Sequence, residues 1–278
     1  MTISYREPSL DLLEYLILGD CELQQVVAAR NSSLGRLAQP SQRLVHELDF
    51  LRLGDACVEN LLLSDPALAE KLRGVIEVKR GELPGRIADA LILGDEFRQF
   101  WAASGGEPQI SAESLEALAA FEHDVRRWLS GDYEVDGAAM ELRLQQLSLD
   151  HGGAILLAWV SLGDELNAAS GAVNRRAASR PPLCGENIAK SRGKIFGSVV
   201  TRYFLTRLQK EIAVLNKSTY DLVQHIDNLE SALAVAQPVA YRSWREERDS
   251  VISRGRQAVT AHVESLAPLL KQCGFLPG

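Results

Sequence analysis

Apolar residues recur along this chain in steps of three and four, not two. Leu13, Leu16, Leu23, Val27, Leu34 and Leu37 fall on one stripe, with Asp20 and Arg30 in its two gaps. Such spacing lines one face of an α-helix. Ser9, just ahead of the stripe, is a good N-cap for its first free N–H groups. The stripe passes through the polar stretch RNSSLGRL at residues 30–37. The spacing therefore predicts one continuous first helix to Leu37, even though Gly35 costs about 1 kcal/mol relative to alanine. The turn then falls at Ala38–Gln39–Pro40, and Ser41 caps the second helix.

The same period continues downstream. Leu44, Leu48, Leu51, Val58 and Leu62 share a face of the second helix, with Asp55 in the gap. Asp65 and Pro66 are the cap and first residue of a third. Ile87, Ala90, Phe97 and Trp101 mark the next apolar face, ended by Gly105–Gly106 and Pro108, and Leu115, Leu118, Phe121, Val125 and Trp128 mark a helix over 111–129. Ile155, Trp159, Leu162, Leu166, Ala169 and Val173 carry the pattern to residue 178. From Leu208 through Ile212, Leu215, Leu222, Ile226, Leu229 and Leu233 the steps approach a heptad seam, with Asn216–Ser218 as an expected break. A last helix over 240–272 turns Trp244, Val251, Val259, Val263 and Leu266 inward. No run alternates as a strand would. The expected fold is all-α, an antiparallel bundle of long helices begun by a disulfide-linked helical hairpin. Residues 1–278 are read as a single helical domain, with the irregular ASRPPLCGEN at 178–187 as the candidate boundary. The tripeptide LGD recurs at 18–20, 53–55, 93–95 and 162–164, which reads as a small residue where two helices cross closely.

The hairpin has a geometric consequence. If helix one ends at Leu37 and helix two starts at Ser41, Cys21 and Cys57 each lie about 24 Å from the turn at 1.5 Å per residue. That equal height suits a disulfide, whereas a helix ending at Asn31 would offset the two by roughly 9 Å. Cys21–Cys57 is the predicted pair, leaving Cys184 and Cys273 as the second. None of the four cysteines has CxxC spacing, so no structural zinc is expected. Disulfides persist in oxidising compartments. The opening residues MTISYREPSLD show no charged segment followed by an apolar one, so no signal peptide is visible.

The 278 residues are 46% hydrophobic and 6% aromatic, enough for a sizeable core, and the net charge of −7 argues against general nucleic-acid binding. No apolar run approaches the ~20 residues of a membrane helix; GAILLAWVSLG at 153–163 is too short. Nucleophile-elbow, HExxH, phosphate-loop, GxGxxG and Glu-x-x-His signatures are all missing. His46, His123, His151, His225 and His262 are scattered and read as surface or satisfied core residues. No cofactor or metal is expected. Three weaker constellations remain. Asp20 and Asp55 lie at similar heights in the hairpin, as a carboxylate pair or as partners of an arginine such as Arg30. Arg175, Arg176, Arg180, Lys190, Arg192 and Lys194 are opposed by Glu186 alone, and suit a solvated loop or an anionic lipid surface. Arg30, Asn31, Ser33, Gln42 and Arg43 cluster near the hairpin turn, either as a network locking the helix or as ligand-binding residues.

The segment CELQQVVAARNSSLGRLAQPSQRLVHELDFL at 21–51, most of all RNSSLGRLAQPSQRL bracketed by Cys21 and Cys57, resembles the domain-of-unknown-function 3080 family of uncharacterised gammaproteobacterial proteins. Members typically look like lipoproteins with a lipidated cysteine after a signal peptide. The resemblance implies a periplasmic protein, tethered by an N-terminal lipid in full-length relatives, with the anchor absent from this chain. It supplies no catalytic residues. The expected function is binding or scaffolding in the cell envelope, with an envelope protein or anionic lipid surface as partner. A binder of a small apolar or amphipathic ligand between helices is the second reading. An enzyme with dispersed Asp, Arg and His is the third.

Overall fold

The computed structural model describes residues 5, 18, 21–102, 105–185 and 190–275. Among these every regular element is helical. In order they are α1 (Leu23–Asn31), the single turn α2 (Ser33–Arg36), α3 (Pro40–Ser64), α4 (Pro66–Ala90), α5 (Asp95–Ala102), α6 (Ala112–Leu129), α7 (Gly137–Ser148), α8 (Gly152–Ala178), α9 (Lys190–Val199), a π-helical segment (Val200–Leu208), α10 (Gln209–Ala232), a 3-10 turn (Ala234–Ala236) and α11 (Val239–Gln272). They fold into two compact units. The first comprises described residues up to 102 with Ile110–Asp150 and Leu222–Arg242; the second comprises 105–109, His151–Asp221 and residues from Ser243 onward. The described part of the irregular segment, 178–185, lies within the second unit.

The first unit opens with a hairpin stapled by Cys21–Cys57, whose Cα atoms are 5.6 Å apart. The predicted pairing is present, but the continuous helix that motivated it is not. α1 ends at Asn31, where Ser32 turns to an extended conformation with ψ of 165°. The Ser32 hydroxyl donates to the Ala29 carbonyl at 2.8 Å and accepts the Gly35 N–H at 3.0 Å. One residue thus closes one helix and caps the next turn. Leu34 and Leu37, expected on the buried stripe, are 84% and 81% exposed. The cysteines still meet because the connector spans height. α1 rises roughly 15 Å from Cys21 to Asn31, α3 about 26 Å from Pro40 to Cys57, and residues 32–39 cover the difference.

α3 and α4 are joined by Asp65 alone, whose carboxylate accepts the Leu68 N–H at 3.0 Å. α3 buries Leu44, Leu48, Leu51, Val58 and Leu61, while Leu62, expected inward, is 45% exposed. The two helices cross closely, since a methyl group at Gly54 would lie 2.8 Å from the Ile76 side chain. α4 carries Pro84 in its interior. Phe97, Phe100, Phe121 and Trp128 are buried in this core. Asp150 accepts both the N–H and the O–H of Ser111, at 2.9 and 2.8 Å, and fixes the start of α6.

In the second unit α8 crosses α11 through glycines: a methyl at Gly163 would lie 3.6 Å from the Gly255 Cα. α11 buries Arg248, Ile252, Gly255, Ala258, His262, Leu266 and Leu269. Leu266 is buried as expected, but the rest of the expected face is not, and Val263 is 49% exposed. The true stripe contains an arginine, a glycine and a histidine, which hid its heptad spacing. α10 runs unbroken through Asn216–Ser218. Cys184 and Cys273 are joined, bringing the segment after α8 to the end of α11. Gly193 of α9 packs on this disulfide, a methyl there meeting the Cys184 sulfur at 2.8 Å, and Gly197, one turn on, faces the Phe275 ring.

Candidate functional site

The polar stretch at 30–43 is stitched to its own backbone. Arg30 donates to the Gly35 carbonyl at 3.2 Å, Arg36 to the Asn31 carbonyl at 3.1 Å, and Arg43 to the Arg36 carbonyl at 3.0 Å. Three guanidinium groups thereby bind carbonyls around the helix break. Gly35 is required here, because a Cβ would collide with the Ala29 and Arg30 carbonyl oxygens. Asn31, Ser33 and Gln42 are exposed and Arg30 and Arg43 half-buried. The five residues share a neighbourhood, and what the arginines do there is terminate helices.

Asp20 lies outside the described residues. Asp55 takes Arg80 at 2.5 Å, and Arg80 also holds Glu77 at 2.7 Å. Asp55 and Arg80 border an open cleft of about 460 Å³ that also touches Leu51, Arg52 and 131–134. On the same hairpin Lys79 pairs with the buried Glu47 at 2.5 Å and lies over the Phe50 ring.

A second cleft, of about 320 Å³, opens between α6 and α10 beside Glu122, Arg126 and Asn228. His225 Nδ1 lies 3.0 Å from one Glu122 oxygen and Arg126 holds the other. Burial alone pushes the Glu122 carboxyl up, but hydrogen bonds from His225 and Asn228 and the Arg126 charge outweigh it and hold it below the ordinary range. Glu122 is therefore a fixed anion, poorly suited to take up a proton near neutral pH.

In the second unit His262 Nδ1 lies 3.0 Å from the Ser170 hydroxyl, and both residues are buried. The pair looks like a base and its nucleophile, but the protons run the other way. Ser170 donates its single proton to the Leu166 carbonyl at 2.6 Å, so its oxygen must accept from His262 Nδ1–H. Burial lowers the imidazole pKa, which suits a neutral donor. Of the other histidines, His46 is half-buried with its pKa lowered by desolvation and by Arg30, while His123 is exposed and His151 half-buried. Among the described residues no three His, Cys, Asp or Glu side chains gather to hold a metal ion.

The exposed surface of α9 and the π segment differs in character. Ile195, Val199 and Tyr203 are 64%, 48% and 59% exposed. Arg192, Lys194, Arg202, Arg207 and Lys210 are exposed around them. No Asp or Glu occurs from Asn187 to Lys210. The sequence pattern placed the end of this basic run at Lys194 and marked Leu208 only as the start of an apolar seam. The missing signal was the acid-free run itself.

The fold and its polar clusters define a disulfide-stapled, all-helical protein whose described interior polar groups bond largely to one another and whose surface carries an unbalanced cationic strip. The chain belongs to the family described as "Protein of unknown function (DUF3080)", whose family model matches residues 1–277. No curated protein and no solved structure matches it. Among the described residues no helix is long and apolar enough to cross a membrane.

Proposed function

We propose that this protein works outside the cytoplasm, in the bacterial periplasm, as a helical binding or scaffolding component of the cell envelope. The observation that carries the reading is the cysteine count: all four are spent in Cys21–Cys57 and Cys184–Cys273, and none is free. Two bridges between segments far apart in sequence are what an oxidising compartment forms and a glutathione-buffered one removes. The closed loops constrain the unfolded chain, so oxidation stabilises the fold itself. Binding, rather than turnover, is supported by how the polar clusters are spent: the Ser170 hydroxyl donates to the Leu166 carbonyl, Glu122 is fixed as an anion, and the arginines at 30–43 hold carbonyls. The partner is an envelope protein or an anionic lipid surface, and in relatives an N-terminal lipid would keep the protein near it.

The test is a thiol count on protein recovered from cells whose thiols were alkylated at harvest. The reading expects no labelled cysteine under denaturing conditions without reductant. Four labelled cysteines would place the working protein in a reducing compartment and end it. Crosslinking in intact cells, read by mass spectrometry, then identifies the partner.

A further inference from the structure

The inner side of α9 and the π segment is spoken for. Gly193 lies on the Cys184–Cys273 disulfide, Gly197 on Phe275, and the Phe204 ring sits 5.3 Å from that of His262. Val200 is buried. The staple therefore fixes which side of this rod faces out. On that side Ile195, Val199, Tyr203 and Arg207 follow at intervals of four. In an α-helix four residues overshoot a turn, so such a row drifts around the rod in one sense. In a π-turn, closed by bonds from i to i+5, four residues fall short of a turn and the drift reverses. The change from α to π at Val200 thus holds the row on one side of the rod. Thr206 braces the widened turn through its hydroxyl, which donates to the Thr201 carbonyl at 2.7 Å.

We infer that this face docks flat on an anionic phospholipid surface. The Ile195–Val199–Tyr203 row enters the headgroup–acyl boundary, and Arg192, Lys194, Arg202, Arg207 and Lys210 meet the lipid phosphates. Charge complementarity commits the face to this occupant. From Arg192 to Glu211 the sequence carries five cations and one acid, Glu211, which is 3.3 Å from Arg207, in a chain whose net charge is −7. An exposed apolar row bordered by Lys and Arg is the composition of a helix lying in a membrane interface. A polyanion without an apolar layer, such as a nucleic acid, gives the exposed Ile195 and Val199 nothing to enter. This deepens the binding role proposed above by naming the partner, and it rests on that reading.

The test is co-sedimentation of the full oxidised chain with vesicles of phosphatidylcholine alone and of phosphatidylcholine with phosphatidylglycerol. Binding is expected only to the anionic vesicles, and it should weaken as salt rises. Each cation near such a surface is worth about a fivefold factor in partitioning, so Arg202→Gln with Arg207→Gln should lower it roughly 25-fold. Ile195→Ser with Tyr203→Ser should weaken it with every cation retained. All four positions are exposed, so the unfolding midpoint should stay at the wild-type value and separates lost docking from lost folding. Equal binding to both vesicle types, binding to neither, or wild-type partitioning by both double variants overturns the inference. Retention by an acidic protein with no vesicle binding overturns it in favour of a protein partner. The thiol count does not depend on vesicle binding, so failure here leaves the compartment reading to stand or fall separately.

Discussion

Glycine to alanine inside a helix ordinarily stabilises by about 1 kcal/mol. At Gly255 the sign should reverse. The added methyl would lie 2.5 Å from Cε3 of Trp159 and 3.0 Å from its carbonyl oxygen, where non-bonded carbons prefer about 3.5–4.0 Å. Trp159 is held in place. It is 0% exposed, and its indole N–H donates to Thr219 at 2.9 Å while Thr219 donates to the Leu215 carbonyl at 2.6 Å. The backbone oxygen on the other side of the new methyl belongs to α8 and cannot rotate away. The two helices must therefore part, breaking contacts along the crossing. Overpacking of this kind costs about 1–3 kcal/mol, and more when backbone must move. Set against the propensity gain, Gly255→Ala should destabilise by about 1–2 kcal/mol. Gly81, exposed on α4 with no atom within 4 Å of an added Cβ, is the control. There the same substitution should stabilise by about 0.5–1 kcal/mol. Urea titration followed by circular dichroism reads both as shifts of midpoint at unchanged slope. A Gly255→Ala chain as stable as wild type would mean that α8 and α11 do not cross at this distance.

Three further outcomes follow from the geometry. Cys21→Ser should lower stability by roughly 2–4 kcal/mol, the usual worth of a closed loop of this size, and a thermal melt without reductant that matches wild type would contradict it. Ser32→Ala removes the hydroxyl that serves both Ala29 and Gly35 and should cost about 1 kcal/mol; amide exchange in 28–36 should quicken, and unchanged exchange there would deny the cap. Because the Glu122 carboxyl is held below its ordinary value of 4.5, its contribution is complete above that value and disappears as pH falls through the folded-state pKa. Glu122→Gln should accordingly flatten the fall of the melting midpoint below about pH 4.5, and an unchanged profile would show the carboxylate to be unperturbed.

The all-helical class was legible because period is a robust signal: Leu44, Leu48, Leu51 and Val58 can share a face in only one kind of element. Helix ends were legible where a side chain caps locally, as at Asp65 and Ser111. The break at Ser32 was not, because Leu34 and Leu37 continue the stripe by coincidence of spacing while lying in solvent. What breaks the helix is a serine bridging two turns and a glycine pressed against two carbonyls, neither of which is visible as periodicity. The cysteine pairing came out right although its stated reason failed, since a connector of eight residues absorbs the height mismatch that seemed prohibitive. The recurring LGD held at Gly54 and Gly163, which do sit at helix crossings, but Gly94 serves a turn, close to the Ala90 and Leu91 carbonyls. The exposed row was obscured because Ile195, Val199 and Tyr203 interleave with the inward Gly197, Val200 and Phe204. Composition alone cannot say which of two interleaved rows faces water.

The second unit uses one device twice. Trp159 donates to Thr219, which donates to Leu215; His262 donates to Ser170, which donates to Leu166. In each case a hydroxyl gives its proton to the carbonyl one turn back and offers its freed lone pair to a ring N–H from another helix. The hydroxyl is satisfied as donor and as acceptor, and a large ring is pinned in one orientation inside an otherwise apolar core. A serine meant to attack a substrate needs the opposite arrangement, with its proton aimed at a basic nitrogen. The arrangement at Ser170 thus argues for rigidity. It also bears on the outer face, because the Phe204 ring rests beside the His262 ring that this device immobilises. The histidine, the Cys184–Cys273 staple and Phe275 together hold the rod from within, while Ile195, Val199 and Tyr203 stay exposed on its outer side.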